Sequence, residues 1–145
     1  MRRRDEAGTA IVEFVWLALL LIVPLLYVVL AAFDTQRTAY AASAAARSAG
    51  RAFVTSPDQA SAHHRAQAAA RLAFRDQRLE EPPQLGITCR PDPGACLAPG
   101  SVVVAEVHSS VRLPLLPVIF GDQAPAIRVD SVHEAPYGTF REARP

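Results

Sequence analysis

Glu13 is the residue of this chain whose chemistry most needs explaining. It stands at the head of an uncharged apolar run, residues 14–33, FVWLALLLIVPLLYVVLAAF. A carboxylate in the hydrocarbon of a bilayer costs about 2.5–3.5 kcal/mol on insertion scales. An acid at this place therefore calls for a cationic partner or a position among headgroups. Phe14 follows it directly, and Gly8 and Thr9 precede it in GTAIVEF. Glycine has no Cβ, so the backbone at Gly8 is open to close approach. The residues themselves pose the question of which cation could meet the acid.

Cys89 and Cys96 flank RPDPGA, a turn-forming hexapeptide. In an oxidising compartment the pair is expected to form a disulfide, closing a short loop for about 2–3 kcal/mol. A metal site is the competing reading, but it needs four ligands, and no second cysteine pair exists. His63 and His64 are adjacent and about 100° apart on a helix, so they do not form the usual i,i+4 ligand pair. His108 and His133 fall on presumed strands. Arg71, Arg75 and Arg78 repeat at helical spacing and read as a solvated face, with no aromatic interleaving to suggest nucleic acid. The formal charge of +1 gives no global attraction to polyanions. No nucleophile–base pair, nucleotide loop or paired carboxylates stand out. The expectation is a non-enzyme without cofactor, metal or small-molecule substrate.

These residues need elements to hold them. The apolar run of twenty residues spans about 30 Å as a helix, the thickness of a bilayer core. Pro24 interrupts it, as membrane helices tolerate. The following DTQRTAYAASAAARSAG is rich in alanine, the best helix former, so the helix is expected to continue to Ala49, with Gly50 as its stop. Ser56, Pro57 and Asp58 signal a second helix, with Ser56 as cap and Pro57 in the first turn, running to Leu79. Beyond Pro82 and Pro83 come β-type segments at 85–90, 103–113 and 127–134. The middle one alternates clearly, Val103, Ala105, Val107 and Val111 against Glu106, His108 and Arg112. The expected fold is α+β: a long N-terminal transmembrane helix, then a small domain with a second helix and an antiparallel sheet of about three strands. The apolar, proline-broken segment 113–120 reads as a cap on the core or as an exposed patch. The tail from residue 135 reads as poorly ordered.

Three readings compete for the apolar run. Signal peptides have cores of about 7–15 residues, shorter than this one, although Ala39 and Ala41 mimic a cleavage site. An uncleaved signal anchor suits Arg2–Arg4 on the cytoplasmic side, but Arg37, Arg47 and Arg51 follow the helix on the other. Neither reading explains Glu13. The basic leader, Gly8, Glu13, Phe14 and the apolar run together resemble the processing region of TadE-like pseudopilins of the tight-adherence (Flp) pilus assembly system, over about residues 6–50. All fifteen Lys-or-Arg positions are Arg and the chain has twelve Pro, a composition suggesting a GC-rich bacterial genome.

The resemblance implies cleavage after Gly8 by a membrane prepilin peptidase, with 1–8 as leader. It implies 9–50 as transmembrane and extended helix, 51–134 as a small extracytoplasmic domain, and 135–145 as tail. Glu13, beside Phe14, would pair with the Thr9 amine of a neighbouring subunit. Lipid, other pilin or pseudopilin subunits and a pilus assembly platform are the implied partners in the bacterial cytoplasmic membrane, with a cytoplasmic N-terminus. The alternative is an uncleaved single-pass membrane protein whose exterior domain binds a partner.

Overall fold

The computed structural model describes residues 7–112 and 126–144, with side chains from Ala10 onward. Two helices precede three strands: α1 Ala7–Val54, α2 Gln59–Asp76, β1 Gln84–Arg90, β2 Val102–Arg112 and β3 Ala126–Pro136. The class is α+β, as the sequence patterns indicate. The chain divides into two compact units, Met1–Phe33 and Asp34–Pro145. The segment 113–120 lies outside the described residues.

The first unit contains the apolar half of α1. Its large side chains point outward all round the helix, with Phe14 72%, Trp16 69% and Leu20 69% exposed. The core helix of a soluble protein buries such groups, yet none of the most apolar stretch of α1 is buried. This helix is long and apolar enough to cross a membrane. Pro24 lies inside it without ending it.

The second unit builds its core on small residues. Ala41, Ala42, Ala45, Ala46, Ala49 and Phe53, fully buried, form one stripe of α1 at helical spacing. Ala62, Ala66, Ala70 and Phe74 form the buried face of α2. The sheet is an antiparallel meander in the order β1-β2-β3. Its register sets Cys89 opposite Val103, and Val103 opposite Ala135. Because side chains alternate across a strand, Val103, Ala105, Val107 and Val111 face the core. Glu106 and His108 take the opposite face.

The structure corrects several expectations. Gly50 does not stop α1, which continues to Val54. A Cβ at Gly50 would lie 3.2 Å from the Ala135 Cβ and 3.4 Å from the His133 Cδ2, so the glycine lets the helix approach the sheet. The compact unit takes in α1 from Asp34. Ser56 is not the cap of α2 and Pro57 is not helical: Asp58 is the N-cap, accepting from the Ser61 backbone N–H at 2.8 Å. That bond, with a second from the Ser61 hydroxyl, holds the Asp58 carboxyl below its ordinary pKa. Ser56 is instead buried, its hydroxyl donating to the Ala52 carbonyl at 2.8 Å.

The second helix ends at Asp76, short of Leu79. The tail is packed rather than loose. Tyr137 is 1% exposed and donates to the Glu142 carbonyl at 2.7 Å. Arg141 donates to the Val54 carbonyl at 2.8 Å, and Arg144 to that of Ser56 at 2.6 Å. The last turn of α1 leaves carbonyls without helical partners, and the tail's Arg141 satisfies that of Val54 while Arg144 satisfies that of Ser56 just beyond the helix.

Candidate functional site

Gly8 and Thr9 belong to the first turns of α1. Peptidase access to the bond between them requires that end of the helix to unwind, which glycine eases by about 0.5–1 kcal/mol relative to alanine. Glu13 follows Thr9 by four residues, a rise of about 6 Å. Its side chain is exposed, as is that of Phe14. Among the described residues Glu13 has no hydrogen bond or ion pair. It is the one charged side chain between Ala7 and Phe33. The four residues singled out at the head of the helix thus lie within two turns, and the acid among them has no partner among the described residues.

Cys89 and Cys96 belong to the second unit and are joined in a disulfide, with Cα atoms 5.3 Å apart. Cys89 is near the end of β1. The bond fastens the following loop to the sheet beside fully buried Leu97. The Ser101 hydroxyl reinforces the loop by donating to the Cys96 carbonyl.

The histidines do not converge. His63 meets the Phe53 ring edge-on at 5.0 Å, whereas His133 is beside Gly50 on the core side. His108 Nδ1 lies 2.8 Å from Asp130 Oδ1 on the outer face. Among the described residues no three His, Cys, Asp or Glu side chains gather as a metal site. Near His108, Arg128 and Asp130 line an open polar cleft of about 450 Å³.

Arg71 and Arg75 are exposed on α2, while Arg78 falls beyond its end. There the backbone closes a Schellman motif, Leu79 N–H to the Phe74 carbonyl at 3.0 Å and Arg78 N–H to that of Arg75 at 2.8 Å. This places Arg78 at the left-handed position, φ 56°, normally given to glycine. The conformation costs an L-residue about 1–2 kcal/mol. Sequence reading sees only a stripe of arginines here. Nothing in the spacing indicates that Arg78 shares a cleft with Arg37 and Arg112, which belong to other elements.

No family model, curated protein or solved structure matches the chain.

Proposed function

We propose that this chain is a minor pseudopilin-like membrane protein that takes part in assembling a tight-adherence (Flp, type IVb-like) pilus or a related secretion apparatus. The observation that carries the reading is the lone acid of an exposed apolar helix, without a partner among the described residues and four residues after Thr9. Insertion costs the charge about 2.5–3.5 kcal/mol. The helix dipole returns only about 0.3–1 kcal/mol. A cation about 4 Å away returns roughly 4 kcal/mol at an effective dielectric of 20. A neighbour's Thr9 amine, freed by a prepilin peptidase, supplies that cation when the neighbour is staggered by about 6 Å, four residues, along the helix axis.

In this reading the protein has no enzymatic step of its own. Its first unit sits in the cytoplasmic membrane with the leader on the cytoplasmic side. Its second unit lies outside, where the Cys89–Cys96 disulfide is chemically at home. Lateral packing against other pilin subunits and contact with an assembly platform follow from the same reading.

Substituting Glu13→Leu removes the charge and its penalty together. Insertion is expected to be kept while assembly falls. Normal pilus numbers in cells carrying Glu13→Leu would refute the pairing role.

A further inference from the structure

Three elements of the second unit contribute to one cleft of about 260 Å³. Asp34 and Arg37 come from α1, Arg78, Glu80 and Glu81 from the exit of α2, and Arg112 from the end of β2. Asp34 directly follows Phe33, the last residue of the apolar run. Headgroups extend a bilayer by roughly 5–7 Å on each side of its hydrocarbon. From Asp34 to Arg37 the helix rises only about 4.5 Å. A helix with residues 14–33 in hydrocarbon therefore holds both in the headgroup layer. The inference rests on the membrane reading above.

The charges of the cleft sort into pairs. Arg37 lies 3.3 Å from Asp34, and Arg112 lies 3.9 Å from Glu81. Among the described residues Arg78 and Glu80 have no ion pair, which leaves one free charge of each sign. Arg78 also keeps a left-handed backbone, φ 56°, that glycine would hold without strain. Strain of this kind persists where the surroundings over-determine the backbone, here the two Schellman bonds, which fix where the Arg78 side chain leaves the chain.

We propose that this cleft binds the headgroup of an aminophospholipid of the phosphatidylethanolamine type, with its phosphate on Arg78 and its ammonium on Glu80. Guanidinium grips phosphate with two parallel N–H bonds. A primary ammonium offers N–H donors that a carboxylate accepts, whereas a choline headgroup has none. A lining with equal numbers of both signs suits a dipolar headgroup better than an anionic one.

The test uses the full chain in phosphatidylcholine vesicles with equal parts phosphatidylethanolamine and phosphatidylglycerol. Alkaline carbonate washing reports insertion. Mild detergent extraction and native mass spectrometry then count the retained lipids. The expected result is one phosphatidylethanolamine, retained about tenfold over either competitor, the scale of one charge-assisted bond. Arg78→Gly and Glu80→Gln are each expected to lose it with insertion unchanged. Arg78→Gly relieves the backbone, so its loss of lipid cannot be ascribed to misfolding. Preferential phosphatidylglycerol retention, or undiminished phosphatidylethanolamine in both variants, overturns the inference while the membrane reading stands. Release of the protein by carbonate overturns both.

Discussion

Enlarging Gly50 separates two roles that a glycine near a helix end can play. In a left-handed cap, any side chain meets the same backbone penalty, about 1–2 kcal/mol, whatever its size. Against a sheet, the cost grows with volume. A Cβ here would stand 3.2 Å from the Ala135 Cβ, 3.4 Å from the His133 Cδ2 and 3.8 Å from the Ala105 Cβ. The His133 ring can turn, but the Ala135 Cβ is fixed to the β3 backbone. Alanine also gains about 0.5–1 kcal/mol of helix propensity over glycine. Gly50→Ala is therefore expected to lie within about 1 kcal/mol of wild type, since that gain offsets much of the crowding. Gly50→Leu adds three more carbons to a filled gap and is expected to cost about 1–3 kcal/mol more than alanine. Urea-dependent pulse proteolysis of the detergent-solubilised full chain measures both. Equal losses for Ala and Leu would refute the close-approach argument.

The tail offers a second test. Arg141→Ala removes the hydrogen bond to the Val54 carbonyl and the cation over the Tyr137 ring, 4.9 Å from its centroid. A loss of about 1–2 kcal/mol in the same assay is expected, and an unchanged midpoint would mean that the tail does not hold α1. Asp58 gives a pH test. Its folded pKa is depressed by the Ser61 bonds, so its contribution is full above the ordinary carboxylate range and is lost as pH falls through the folded value. Asp58→Asn keeps a capping oxygen without the titration and should flatten stability between neutral and acid pH at this site. An acid slope identical to that of wild type would contradict the assignment of Asp58 as the cap. Cys89→Ser is expected to lower stability by about 2–3 kcal/mol under oxidising conditions and by little under reduction. Equal effects in both would deny the bond a stabilising role.

Much of the architecture was legible because its signals are local. The period of two across Val103, Ala105, Val107 and Val111 marks a half-buried strand, and the structure buries those residues. Gly50 was misread because stopping a helix and admitting a neighbour both select the smallest residue. Only the position of Ala135 and His133 distinguishes them. Ser56 and Asp58 both suit a cap. The buried bond from Ser56 to Ala52 removes the first from contention. The tail misled because Arg141 and Arg144 look like solvated charges. Their partners, Val54 and Ser56, lie far back in the chain. The grouping of Arg37, Arg78 and Arg112 was hidden likewise, since each belongs to a different element. At the head of α1 the opposite holds: Gly8, Thr9, Glu13 and Phe14 fall within two turns, and their spacing alone brings them together.

Glu13 acquires its proposed partner only if the bond after Gly8 is cut. The most direct measurement is the N-terminal residue and intact mass of the protein extracted from membranes of cells that contain a prepilin peptidase. The account predicts a chain beginning at Thr9 and lacking MRRRDEAG, with the intact chain accumulating when the peptidase is absent. A terminus at Met1 or Arg2 with the peptidase present would contradict it.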